Sequence, residues 1–231
     1  MFFGGVSESS EPLKVDVWSD IACPWCYIGK RKFEAGSAQF SSAGDGREVV
    51  VEYHSFELSP ETPVDFAGSE ADFLAGHKGL PAAQVHDMLE RVTGIAASVG
   101  LDYDFDRLQH TNTVKAHELL HFAKANGRQL EVAERLFHAY FEQGRHLGRP
   151  EELADLAAEA GLDRDGALAA LRSGEYLPAV RGDQALAAEY GITGVPFFVI
   201  EGKYGVSGAQ DAATFAQVLE QVWGERSGVS A

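Results

Sequence analysis

The two cysteines of the chain lie two residues apart in the stretch SDIACPWCYIGKRKFE, with Pro24 and Trp25 between them. This spacing admits three interpretations: a reversible disulfide, half of a metal site, or two buried thiols without a reaction. A disulfide needs Cβ atoms about 3.8 Å apart, and a Cys-x-x-Cys pair on the first turn of a helix supplies about that separation. The pattern therefore permits a redox pair formed by Cys23 and Cys26.

The predicted helix start gives the two thiols different roles. Cys23 precedes Pro24, a residue type favoured at the first helical position, so unpaired backbone amides favour a thiolate at Cys23. Cys26 lies one turn deeper, where burial opposes ionisation, which suits a thiol that attacks a mixed disulfide. We therefore predict that Cys23 is the nucleophile and Cys26 is the resolving thiol.

The other two interpretations of the cysteine pair are weaker. A structural zinc site needs four ligands, and the sequence has no second Cys-x-x-Cys or Cys/His pair at finger-like spacing. Two inert thiols remain possible, but cysteines two apart on a helix do not both lie at the centre of one face. We predict no metal at Cys23 and Cys26.

The residues around this pair predict an α/β unit. LKVDVWSD alternates like a strand and leads into the cysteines, which open a helix. Residues 48–58, EVVVEYHSFEL, predict a second strand, parallel to the first, so that strand, helix and strand form one right-handed crossover. In the helix, Lys30, Arg31 and Lys32 are predicted to form a solvated face.

Roughly a hundred residues after Pro60 have helical periodicity and predict an insertion that covers one face of the sheet. The predicted helices span residues 81–98, 112–125, 131–143, 151–160 and 164–171. GVPFFVIEGKYGVSGAQ then predicts a hairpin with strands at 197–200 and 204–206, followed by a helix at 213–223. The predicted boundaries are 13–62 and 176–226 for the two parts of the α/β domain, and 63–175 for the helical insertion. The opening MFFGGVSESSEPLK and the final SGVSA are expected to be unstructured.

The motifs SDIACPWCYIGKRKFE, FELSP, NTVKAHELL, GVPFFV and VSGAQ together resemble the FrnE-type branch of the DsbA family over most of the chain. The resemblance implies a thioredoxin-like fold with a large all-helical insertion, and thiol-disulfide exchange through Cys23 and Cys26. It also implies that Pro196 is a cis proline that faces the cysteines. Val195 and Pro196 would then dock the backbone of a substrate, and Pro24 and Trp25 would form part of the contact surface. Some FrnE proteins have a further cysteine pair near the C-terminus, which this chain lacks.

The same superfamily includes glutathione-dependent 2-hydroxychromene-2-carboxylate isomerases and kappa-class glutathione transferases, which typically have serine at the active position. This relation gives an alternative function in which Cys23 holds the sulfur of glutathione as a co-substrate and the helices shape an organic-substrate pocket. Cys23 argues against the alternative, and Cys26 distinguishes the two, because glutathione chemistry needs no resolving thiol. We expect no other cofactor.

A less favoured alternative comes from His117-Glu118-Leu119-Leu120-His121, which has the H-E-x-x-H pattern of zinc metalloproteases on a predicted helix. The longer form of this motif is excluded because Lys124 and Gly127 replace its glycine and third histidine. A glutamate ligand from a later helix is conceivable at Glu142. Both histidines, however, fall on the flank of the predicted buried stripe, where histidine is more often a hydrogen-bonded packing residue.

Composition limits the partners. Nineteen basic and thirty-five acidic residues give a formal charge of −16, which disfavours nucleic acid and anionic membrane surfaces as partners. No apolar run is long enough to cross a bilayer. The opening residues lack the basic and apolar regions of a signal peptide, so we predict a cytoplasmic protein. Its expected substrate is a protein or small-molecule thiol or disulfide. The apolar helices leave a homodimer open, although no seam long enough for a coiled coil occurs.

Overall fold

The computed structural model describes residues 11–44 and 47–226. Its strands are β1 (Leu13–Ser19), β2 (Val49–Ser55), β3 (Phe197–Ile200) and β4 (Tyr204–Ser207). They form one sheet in the order β2-β1-β3-β4, in which β1 is parallel to β2 and antiparallel to β3. β3 and β4 form an antiparallel hairpin. The predicted parallel strand pair and the predicted hairpin are confirmed.

The helices of the described residues include a counterpart of every predicted one. They are α1 (Pro24–Ser42), α2 (Glu70–Lys78), α3 (Ala82–Ser98), α4 (Val114–Ala125), α5 (Gln129–Phe141), α6 (Pro150–Glu159), α7 (Arg164–Ser173), α8 (Leu177–Glu189) and α9 (Ala212–Arg226). None of them is long and apolar enough to span a bilayer. The predictions for residues 1–10 and for the SGVSA tail lie outside the described residues. The expectation of an unstructured opening is wrong for Leu13 and Lys14, which begin β1.

Two helices, α2 and α8, were not among the predicted ones. α2 has only nine residues, too few for a sustained apolar stripe, and it is held by a capping box in which Ser69 and Asp72 bond to each other's backbone amides. α8 contains Pro178 and Gly182, residue types that weaken a helical pattern. Both helices therefore depend on capping or on tertiary packing more than on their own periodicity.

Alternating residues of β1 pack against different parts of the molecule. Val15 and Val17 belong to the main core, in which α1 and α9 pack together. There Phe33 of α1 stacks on Phe198 with ring centroids 5.2 Å apart, and Phe215 of α9 meets both rings edge-on. Trp18 points the other way, since successive strand residues face opposite sides, and packs with Ala187 of α8. The sheet is thus covered on both faces.

A charged histidine connects the two parallel strands, β1 and β2, to α8. His54 lies opposite Trp18 in the β1–β2 register and stacks on its ring with centroids 4.5 Å apart. Its Nδ1 is 2.8 Å from Asp183 of α8, and its Nε2 is 2.9 Å from Asp16 of β1. Burial alone would lower the pKa of His54, but the hydrogen bonds to Asp16 and Asp183 raise it to about 9. His54 is therefore an imidazolium at neutral pH.

This cluster predicts a pH dependence of stability. A raised pKa means that the contribution of His54 is present in full below its ordinary value of 6.5 and is lost as the pH rises through about 9. Between about pH 6 and about pH 10, the wild type should lose on the order of 2 kcal/mol more free energy of unfolding than His54→Gln. Urea unfolding of both proteins at the two pH values measures this difference. Equal losses in both proteins would contradict the assignment of a charged His54.

Candidate active site

The cysteine pair lies at the start of α1, just after the turn that connects this helix to β1. Cys23 is the cap residue of α1 in an extended conformation, and Pro24 takes the first helical position, as predicted. The Cys23 amide donates to the carbonyl of Asp20 at 3.1 Å, and the Cys26 amide donates to the carbonyl of Cys23 at 3.0 Å. Both thiols are free. The backbone of this turn thus contributes to the placement of the Cys23 sulfur.

The two thiols lie in different surroundings, although the exposed fractions of both residues are small, 4% for Cys23 and 2% for Cys26. Cys23 lines a cavity of about 530 Å³ together with Pro24 and Trp25, whereas Cys26 does not line it. Burial, followed by the adjacent Cys23 thiol, raises the pKa of Cys26 well above its usual range. Cys23 is therefore the thiol that a molecule in the cavity meets, and Cys26 stays protonated behind it.

The segment before β3 contacts Cys23 from outside the cavity. The Val195–Pro196 peptide bond is cis, as the DsbA resemblance implies. The Cys23 thiol donates to the carbonyl oxygen of Val195 at 3.7 Å. Neither Val195 nor Pro196 lines the cavity. The predicted substrate-binding residues thus divide into a cavity group, Pro24 and Trp25, and a backbone group, Val195 and Pro196, which meet at Cys23.

Gly29 makes the close approach of this segment possible. A Cβ atom at residue 29 would lie 2.9 Å from Cγ of Pro196 and 3.5 Å from Cβ of Ala209. Contacts below 3.0 Å are not tolerated without movement of one partner. The glycine that weakens the helical pattern in the sequence is therefore the residue that lets α1 pack directly against the Val195–Pro196 segment.

Asp20 is a buried residue beside the cysteines that the sequence analysis did not identify as functional. One of its oxygens accepts from the Ala22 amide and from Nε2 of His117, each at 3.3 Å, and the other accepts from the Leu58 amide at 2.8 Å. Burial alone would raise the pKa of Asp20, but the hydrogen bond and charge of His117 outweigh it and lower the pKa. The only sequence feature that could have indicated this role is the position of an aspartate three residues before Cys23.

The predicted H-E-x-x-H helix is confirmed as α4, but its residues do not form a zinc site. His117 contacts Asp20, whereas Nε2 of His121 lies 3.0 Å from a carboxylate oxygen of Asp183. Glu118 is buried and lies 2.8 Å from the ammonium group of Lys115. The expectation that both histidines are hydrogen-bonded packing residues is confirmed, since both are buried and each has a polar partner. The flank on which they lie is itself enclosed by neighbouring elements.

One other group of side chains within the described ranges has the residue types and spacing to hold a metal ion. Ligand atoms of Asp16, Glu52 and His54 lie within 4.8 Å of one another. Lys14 already contacts Asp16 at 3.1 Å, and Lys124 contacts Glu52. The ammonium groups of Lys14 and Lys124 already balance the charge of these carboxylates. A metal ion would have to displace them.

Ion pairs connect the cysteine helix α1 to α5 of the helical insertion. Glu134 of α5 accepts from Lys30 at 2.6 Å and from the hydroxyl of Tyr27 at 2.7 Å, and it also pairs with Arg31. Although burial alone would raise the pKa of Glu134, these three partners lower it. The prediction of a solvated face is wrong for Lys30, which is buried because α5 supplies its counter-ion.

These features define a class: a thioredoxin-fold protein with a helical insertion and a Cys-x-x-Cys pair at the start of its first helix. The chain belongs to the family described as DSBA-like thioredoxin domain, whose profile matches residues 14–220. The predicted fold class and the predicted resemblance to the DsbA family are confirmed.

Three relatives illustrate the similarity. The chain is 31% identical over 213 residues to the uncharacterized protein YwbO of Bacillus subtilis, covering 90% of this chain and 96% of YwbO. It is 40% identical to the crystal structure of the probable DsbA oxidoreductase SCO1869 from Streptomyces coelicolor, with a TM-score of 0.84 and coverage of 92% and 91%. A 2-hydroxychromene-2-carboxylate isomerase structure shares the fold, with 16% identity, a TM-score of 0.70 and coverage of 94% and 100%.

The surroundings of Asp20 give a prediction for stability. In Asp20→Asn the amide keeps one acceptor oxygen but turns an NH₂ group toward a backbone or histidine donor, so one buried donor loses its acceptor. The free energy of unfolding should fall by about 2 kcal/mol in urea titrations. Asp65→Asn is the matched control, because Asp65 pairs with Arg149 at an exposed position and should change stability little. Equal effects of the two substitutions would contradict the role of Asp20 as a buried acceptor.

Proposed function

We propose that the protein is a thiol-disulfide oxidoreductase that reacts through Cys23 and Cys26. The observation that carries the proposal is the unequal placement of the two thiols at the start of α1. Cys23 lines the cavity and touches the Val195 carbonyl, while Cys26 lies behind it with a raised pKa. Such an arrangement suits one attacking and one resolving thiol.

In the proposed reaction, the Cys23 thiolate attacks one sulfur of a substrate disulfide. The substrate S–S bond breaks, one substrate thiolate leaves, and a mixed disulfide forms on Cys23. Cys26 loses its proton and attacks the Cys23 sulfur, which releases the second substrate thiolate. The protein is oxidised by two electrons to the Cys23–Cys26 disulfide, and the substrate disulfide is reduced to two thiols. The reverse sequence would oxidise a dithiol substrate.

The substrate would contact Cys23 from two directions. The half-buried Val195, followed by buried Pro196, offers its backbone beside the thiol, a mode in which an extended protein segment adds main-chain contacts. Trp25 is 42% exposed at the mouth of the cavity and would form part of the contact surface with Pro24. Both protein and small-molecule disulfides are compatible with this pair of surfaces. The two cysteines serve the site and leave none for structural disulfides, which agrees with a cytoplasmic protein.

A glutathione-dependent isomerase or transferase is the second candidate. The cavity beside Cys23 favours it, because about 530 Å³ is enough for a small organic substrate. In that chemistry Cys23 would hold the sulfur of glutathione as a co-substrate, and Cys26 would have no chemical role.

Substitution of each cysteine separates the two candidates. Reduced wild type mixed with 2-hydroxyethyl disulfide should release two equivalents of thiol and form the Cys23–Cys26 disulfide. Cys26→Ser should stop after one equivalent, with a stable mixed disulfide on Cys23, because the resolving thiol is gone. Cys23→Ser should react at least about tenfold more slowly, since the remaining thiol is buried and its pKa is raised. Thiol release and intact-protein mass spectrometry measure these outcomes.

Two results with Cys26→Ser would contradict the proposal. If Cys26→Ser released two equivalents like the wild type, the resolving role would be wrong. If Cys26→Ser also fully retained a glutathione-dependent isomerisation of 2-hydroxychromene-2-carboxylate found in the wild type, the second candidate would replace the first.

A further inference from the structure

The cavity beside Cys23 has apolar walls supplied largely by α2 and α3. Phe73 and Leu74 come from α2, Met88 and Val92 come from α3, and Phe105 follows them. Its volume of about 530 Å³ lies in the range of pockets that enclose small organic molecules. The walls therefore favour an occupant with an apolar or aromatic body.

Two cations, Lys78 and Arg91, line the same cavity and have no carboxylate oxygen within 4.0 Å in the part of the chain that the structure describes. Lys78 ends α2, and Arg91 lies on α3. Among residues 11–44 and 47–226, every lysine and arginine except these two has a carboxylate oxygen within 4.0 Å. In a chain with a formal charge of −16, both of these cations thus line the cavity that Cys23 lines.

The acidic residues of the cavity lining already have partners. Glu70 is buried and lies 2.7 Å from Nδ1 of His110, and Asp20 is bonded by His117. Lys78 and Arg91, by contrast, are exposed and keep their charges free for a molecule that enters. Free cations over an apolar pocket attract an anion locally, although the protein as a whole repels anions.

We propose that the preferred substrates are small organic disulfides that carry an anionic group, such as a carboxylate, on an apolar or aromatic body. The body occupies the cavity between α2 and α3, the anionic group pairs with Lys78 and Arg91, and one sulfur reaches Cys23. This proposal rests on the proposed function, and its chemistry is the same two-step exchange, in which the small disulfide is reduced to two thiols and the Cys23–Cys26 disulfide forms.

Two aromatic disulfides of different charge test the proposal. The dianionic 5,5′-dithiobis(2-nitrobenzoate) and the uncharged 4,4′-dithiodipyridine both release a coloured thiol, so stopped-flow absorbance gives their rate constants with the reduced protein. In the double variant Lys78→Gln/Arg91→Gln, the ratio of the anionic to the uncharged rate constant should fall by about fivefold or more relative to the wild type. The rate constant for the uncharged disulfide should change by less than about twofold, because both side chains are exposed and do not support the fold.

Lys32→Gln is the matched control. Lys32 lies on the cysteine helix α1 and carries one positive charge, but it pairs with Asp211 at 2.8 Å and does not line the cavity. Its substitution should leave the ratio unchanged. An equal fall of the ratio in Lys32→Gln, or no fall in the double variant, would overturn the proposed substrate class while the exchange reaction stands. If Cys23 of the wild type reacted with neither disulfide, the proposed function itself would fail.

Discussion

The buried carboxylate of Asp20 holds together the three parts of the chain that the site needs. Through its hydrogen bonds it connects the turn before Cys23, the segment that follows β2, and α4 of the helical insertion. A buried carboxylate is stable only when its acceptor positions are filled, so each of the three segments has to be in place for the others. The position of the cysteine pair is therefore a property of the sheet and the insertion together, and a local turn alone would not fix it.

Two different surfaces meet at the Cys23 sulfur, one from the sheet and one from the helical insertion. The sheet side brings the Val195 carbonyl to Cys23, and the insertion side provides an apolar cavity with Lys78 and Arg91. Cys26 is withdrawn from both surfaces, and its burial keeps it protonated. Under the proposed function, a disulfide that enters from either direction would meet the same thiol, Cys23, so the recognition of substrates can differ while the chemistry stays the same.

The sequence predicted those features that depend on local spacing. Two cysteines on one helical turn, a proline at the first helical position and a short apolar hairpin are patterns of a few neighbouring residues, and all appear in the structure as predicted. Tertiary partners have no such local signal. His117 was considered as a zinc ligand because of its neighbours in sequence, whereas its actual partner, Asp20, lies far away along the chain. Gly29 was interpreted as a weak point of a helix, yet it allows the approach of Pro196. Lys30 was expected in solvent and is buried, because Glu134 of the insertion reaches it.

The most direct test of a redox pair is the equilibrium of the wild-type thiols with glutathione buffers of graded ratio. The protein is equilibrated in each buffer, free thiols are trapped by alkylation, and the products are identified by mass spectrometry. If Cys23 and Cys26 form a working disulfide, the protein should lose two hydrogens reversibly with a defined midpoint, which gives the reduction potential of the pair. If no intramolecular disulfide formed at any ratio, the exchange mechanism would be wrong, and a stable glutathione adduct on Cys23 would indicate glutathione-dependent chemistry instead.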